Sequence, residues 1–129
     1  DLINFAERYN GNKQIKLIHT QLSQTTSEAN LKALSSMKKF GFQICYGNHS
    51  KNINTIYTSI AFRPSEIWFY VKLNDYDMNV EVPDDDHAIK LDHVGEIIKN
   101  IIELKIALGD GVKINLDKKP FNSGVKIKL

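Results

Sequence analysis

The chain has 129 residues, 42% of them apolar and 25% charged, which is the size and make-up of one domain with a single core. That content is too hydrophobic for a disordered segment, and the net charge of +2 excludes a strongly acidic or basic tail as its main feature. The longest apolar stretch, residues 97–108, is interrupted by Lys99, Asn100, Glu103 and Lys105, so it cannot span a membrane.

In chain order, Asp1 caps a short helix whose apolar face is Leu2, Phe5, Ala6 and Tyr9, with Asn10-Gly11 as its stop. Residues 14–22 carry both periods. Ile15, Leu17 and His19 alternate as in a strand, Ile15, Ile18 and Leu22 are spaced as in a helix, and the segment is read as helix. Thr25 and Glu28 form a capping-box pair ahead of Leu31, Leu34 and Met37, and Gly41 closes that helix. Phe42–Tyr46 alternates as a strand and runs into the polar turn Gly47-Asn48-His49-Ser50-Lys51-Asn52.

Residues 55–62 are β-branched and aromatic. Arg63-Pro64-Ser65 follows, then the apolar run of residues 66–73, and together these predict a central antiparallel hairpin. A short strand is expected over 78–82, ending at Pro83. Asp92 is expected to cap a long helix over 92–108, with Val94, Ile97, Ile98, Ile101 and Leu104 as its stripe and Gly109 as its end. Residues 112–116 and 125–129 alternate as a closing pair of strands. Strands and helices segregate in this reading, so the expected fold class is α+β: a mainly antiparallel sheet, with the hairpin of residues 55–62 and 66–73 at its centre, covered by helices. Phe69, Val71, Ile97, Ile101 and Leu104 are its expected deep core.

No catalytic set converges in the sequence. Asp84-Asp85-Asp86-His87, followed by Asp92-His93, is the densest group of metal-ligand types, and Asp84, Asp86, His87 and Asp92 are the set a divalent-metal enzyme would use. A solvated loop and a helix cap account for it more simply, so no metal or cofactor is assigned. Pro83-Asp84 with Glu103-Leu104-Lys105 matches the string of metal-dependent nucleases, yet Glu103 and Lys105 stand two apart on a helix and face about 200° apart. Cys45 with His49 lacks an orienting third group, and Cys45 reads as a buried structural thiol. As the sole cysteine it also excludes an internal disulfide and fits a reducing, cytoplasmic setting. Gly109-Asp110-Gly111 follows a helix, whereas phosphate-binding loops precede one.

Charge is unevenly spread. Six of the fifteen acids fall between Asp75 and Asp86 with no base among them, leaving nine acids against seventeen bases elsewhere, a net +8. Arg63 and Lys72 flank the aromatics Tyr57, Phe62, Trp68, Phe69 and Tyr70, and Lys118, Lys119, Lys126 and Lys128 crowd the C-terminal end. These six bases are the candidate contacts to DNA or RNA.

Tyr57-x-Ser59-x-Ala61-Phe62, the run Ile67–Leu73, Val80-Glu81-Val82 and the helix from Val94 to Leu108 together resemble small domains of unknown function. Such domains are appended to predicted bacterial nucleases and restriction-type proteins, and are also described as predicted transport proteins. The resemblance implies a nucleic-acid-processing context and carries no catalytic residue. The expected function is a non-catalytic accessory binding or interaction domain, single over residues 1–129 and cut from a longer bacterial chain. Two alternatives stay open: a self-association or partner-docking module, and a divalent-metal-dependent nuclease-like enzyme.

Overall fold

The structure is a computed structural model that describes residues 2–74, 84–112 and 127–128. Its strands run parallel. β1 (Lys16–Thr20) pairs with β2 (Gln43–Gly47) over five residues, from Lys16 opposite Gln43 to Thr20 opposite Gly47. β3 (Ile67–Trp68) joins the other side of β2, with Tyr46 opposite Ile67. A second parallel pair, β4 (Val71–Lys72) with β5 (Ile89–Lys90), continues the chain beyond β3. The expected antiparallel sheet is therefore corrected to short parallel strands, with helices between β1 and β2 and between β2 and β3.

Two segments account for the difference. Residues 55–62 form no strand: α3 (Asn54–Ser59) and a 3₁₀ turn (Ile60–Phe62) occupy them. Their β-branched content suggests extended chain, but Asn52 Oδ1 accepts a hydrogen bond from the Asn54 N–H at 3.0 Å and starts a helical turn. Ile56 and Ile60, one turn apart, then fall on the buried side. In the other direction, residues 16–20 obey period two. His19 is buried and Leu17 half-buried while Ile18 is exposed, so the segment read as helix is β1. With β1 a strand and 54–62 a helix, strands and helices alternate, and a parallel strand needs such a crossover.

Before β1 lies α1 (Leu2–Tyr9), as expected. Between β1 and β2 the helix is broken into Thr26–Glu28, α2 (Ala33–Met37) and Lys38–Phe40, and the Thr25 side chain makes no capping hydrogen bond. Gly41 ends this run in the left-handed region at φ 78°, where a side chain would be strained. α4 (Leu91–Leu108) matches the long helix expected, though its start is held by another residue. Asn74 Oδ1 accepts from the Asp92 N–H at 3.2 Å, while Asp92 itself is exposed.

Leu34, Phe42, Ile44, Tyr46 and Ile56 form the core with Ala6, and Leu17, Ile67, Phe69 and Ile101 pack against it. Helix residues thus pack on the face of β2 that carries Ile44 and Tyr46, and Cys45 on its other face is also buried. Ile97 is deeply buried as expected; Phe69 and Ile101 are only half-buried, and Val71 and Leu104 are exposed. The run over residues 66–73 is accordingly not a strand buried on both faces. Ile18, Trp68 and Tyr70 lie exposed on and beside the sheet, with Trp68 54% accessible. The strand expected over 78–82, and most of those over 112–116 and 125–129, lie outside the described residues. Among the described residues, no helix is long and apolar enough to cross a membrane.

Candidate metal centre at the strand ends

The carboxyl end of β2 leads into Asn48-His49-Ser50, and Asn48 holds that loop in place. Its buried side-chain oxygen accepts from the Tyr46 hydroxyl at 3.0 Å and lies 2.7 Å from Thr55 Oγ1, while its Nδ2 donates to Ser50 O at 3.0 Å. Its main-chain N–H reaches Trp68 O at 2.9 Å, tying the loop to β3. His49 projects from this clamped loop.

His87 approaches from the other side. It closes a 3₁₀ turn (Asp85–His87) that begins at Asp84, a non-glycine residue with φ 65°. β5 follows at once, and the Ile89 N–H bonds Tyr70 O at 2.9 Å. The His49 and His87 rings stack with centroids 4.5 Å apart, and Tyr70 sets its ring edge-on to both, at 5.5 and 5.3 Å.

The His87 side chain is 1% exposed, and among the described residues neither of its ring nitrogens has a hydrogen-bond partner. Asp84 Oδ1 stands 3.8 Å from Nε2, too far for a hydrogen bond. Burial, then the neighbouring His49, pushes the His87 imidazole below the usual histidine range, with Asp84 and Asp86 pulling the other way. A neutral imidazole is the form that ligates a metal. One ligand atom from each of His49, Asp84 and His87 lies within 4.8 Å of the others. Tetrahedral ligands at 2.0–2.2 Å from one ion stand about 3.3 Å apart, so an ion would draw these atoms together by up to about 1.5 Å. Two imidazoles and a carboxylate suit zinc, iron or cobalt.

The residues singled out in the sequence separate here. Asp84 and His87 join the cluster; Asp86 turns to Lys51 at 3.0 Å, and Asp92 and His93 are exposed at the start of α4. Cys45 is buried beside Glu66 Oε2 at 3.7 Å, and burial raises its thiol pKa. Of the candidate nucleic-acid contacts, Arg63 donates to Gly109 O at 2.9 Å and Lys72 pairs with Asp85 at 3.0 Å. Lys128 is exposed, and Lys118, Lys119 and Lys126 lie outside the described residues. His49 entered the sequence reading only as a base for Cys45. The signal that would have placed it is that it follows a parallel strand at the sheet end where His87 arrives.

A cavity of about 380 Å³ opens beside His49, lined by Ile18, Thr20, Asn48, Trp68 and Tyr70. A larger apolar cleft of about 620 Å³ lies between β3 and α4, between Ile67 and Phe69 on one side and Ile98 and Ile101 on the other, and has no histidine in its wall.

No family model matches the chain, and no curated protein matches it. A solved structure does: the crystal structure of N-acetylneuraminic acid (sialic acid) synthetase from Leptospira borgpetersenii serovar Hardjo-bovis in complex with citrate. The TM-score is 0.66 at 22% identity, over 79% of this chain and 36% of that one. The likeness is one of fold. The chain spans about a third of the length of the protein it matches.

Proposed function

We propose that this chain binds a divalent transition-metal ion between His49, His87 and Asp84, as part of a small-molecule site where β2 ends and β5 begins. The observation that carries this reading is His87: an imidazole 1% exposed, with neither nitrogen paired among the described residues, facing a second histidine and a carboxylate. Leaving a buried polar group without a partner costs about 1–3 kcal/mol, which a bound ion would offset. Parallel α/β folds place their ligands at the carboxyl ends of their strands, where His49 stands after β2. The cavity beside His49 is sized for a small molecule, and the synthetase that shares the fold holds citrate. The buried lone Cys45 accords with a reducing, cytoplasmic setting.

Calorimetric titration with zinc, cobalt and manganese tests the reading. One ion should bind tighter than about 10 μM, and His49→Ala or His87→Ala should abolish binding while His93→Ala leaves it intact. Equal binding by wild type and His87→Ala would overturn it.

A second reading, docking to a further segment or partner, draws on the exposed Ile18 and Trp68 and on Ile98, Ile102 and Ile106 along α4. An all-parallel sheet is ordinarily covered on both faces. Light scattering separates the two: a stable dimer without metal affinity would favour docking. For the accessory nucleic-acid role, Arg63 and Lys72 are engaged within the protein and Lys128 is exposed. Retention on DNA at 50 mM salt, lost by 200 mM, would support that role.

A further inference from the structure

The metal reading leaves a question about three consecutive carboxylates on one turn. Asp86 is taken by Lys51 at 3.0 Å, a pair with side chains 53% and 66% exposed. Asp85 is taken by Lys72, whose ammonium donates both to the Asp85 carboxylate at 3.0 Å and to the Asp85 main-chain oxygen at 2.9 Å. Those two side chains are only 24% and 30% exposed. The third, Asp84, faces His87 at 3.8 Å. Two lysines thus absorb two of the three charges, and the remaining carboxylate points at the histidine.

Resting on the metal reading, we infer that Lys72 is a positioning residue of that site, acting through Asp85. Three features make its hold matter. Asp85 lies between the ligands Asp84 and His87, so fixing its main chain fixes theirs. Asp84 occupies the left-handed region at φ 65°, a conformation uncommon outside glycine, asparagine and aspartate, so the turn that holds it sets where its carboxylate points. Lys72 is on β4, paired in register with Lys90 of β5, so the staple joins the turn to the strand immediately before and after the site. A bifurcated contact to one carboxylate and one carbonyl fixes both the position and the angle of the turn. Lys51, gripping one exposed carboxylate from a loop, fixes much less.

Cobalt(II) titration followed by visible absorption tests the assignment, with the metal-free thermal midpoint measured on each variant. Lys72→Met should weaken cobalt binding by about 10–100-fold and alter the ligand-field bands, the usual effect of removing a group that orients a ligand. Lys72→Arg should restore most of the affinity, and Lys51→Met should change it less than about threefold. Asp85→Asn, which keeps the side-chain volume, should repeat the Lys72→Met loss and serves if Lys72→Met fails to fold. Wild-type cobalt affinity and spectrum in both Lys72→Met and Asp85→Asn would overturn the inference, as would failure of Lys72→Arg to recover any affinity. Binding that is abolished by His87→Ala but untouched by Lys72→Met would leave the metal site standing and remove only Lys72 from it. Binding indifferent to His87 would remove both.

Discussion

His49 and His87 stack at 4.5 Å although one follows β2 and the other precedes β5. The pair forms because β4 follows β3 past the end of β2, so that β5, paired with β4, begins where β2 ends. It also sets function against stability. In metal-free protein, His87 is a buried polar group without a partner among the described residues. His87→Leu should therefore stabilise the chelated protein by about 1–2 kcal/mol while abolishing metal binding. Urea denaturation in EDTA measures the first effect, and a destabilised His87→Leu would show that the imidazole is satisfied in a way its geometry does not indicate.

Metal removal should act through the same residues. At a free metal concentration one hundred times Kd, binding stabilises the folded chain by about 2.7 kcal/mol. For a domain of this size that raises the thermal midpoint by about 10 °C. Wild type scanned with zinc and then with EDTA should show that difference, and His49→Ala should melt at one temperature in both.

The parts of the fold that could be read from the sequence are those with one clear period. α4 was legible from Val94, Ile97 and Ile101 and from Gly109 after its end; β2 was legible from the alternation of Phe42, Ile44 and Tyr46. Strand direction was not, because period two is the same in parallel and antiparallel sheets. Two local misreadings then reinforced each other. β-branched Thr55, Ile56 and Ile60 suggested a strand where Asn52 starts a helix, and residues 14–22 carried both periods. Each error removed one alternation of strand and helix, and with it the sign of a parallel sheet. The site was half legible. Asp84 and His87 stood out as ligand types, but only the parallel pairing shows that His49 meets them, and only burial shows that His87 lacks a partner among the described residues.

The core implies a steep gradient of mutational cost across elements that look equally apolar. Leu34 and Ile56 are fully buried, whereas Ile101 is half-buried and Ile106 is 73% exposed. Leu34→Ala should cost about 2–5 kcal/mol, Ile101→Ala less, and Ile106→Ala within about 0.5 kcal/mol of zero. The order of urea midpoints checks this. A large loss for Ile106→Ala would mean that α4 buries its outer face against something, which would strengthen the docking reading.

Glu66 accepts hydrogen bonds from the Lys16 ammonium and, at 3.0 Å, from Trp68 Nε1, so it ties β1 to the start of β3 across β2. Bonding to Lys16, then to Trp68, holds the Glu66 carboxyl below its ordinary value of 4.5, and Glu66 in turn raises Lys16 above 10.5. For a carboxyl depressed in the folded state, the stabilisation is complete above the unfolded value and fades as pH falls through the lower folded one. Stability should therefore hold from neutral pH to about 5 and decline below it. The lysine contributes the mirror effect, full below 10.5 and lost as pH rises past it. Both side chains are more than a third exposed, so water and salt screen the pair and the effect is small. Urea midpoints of wild type and Glu66→Gln between pH 3 and 7 isolate it. The two proteins should differ most near neutrality and converge at pH 3, and 1 M salt should shrink the gap. A constant difference across the whole range would assign Glu66 a packing role instead.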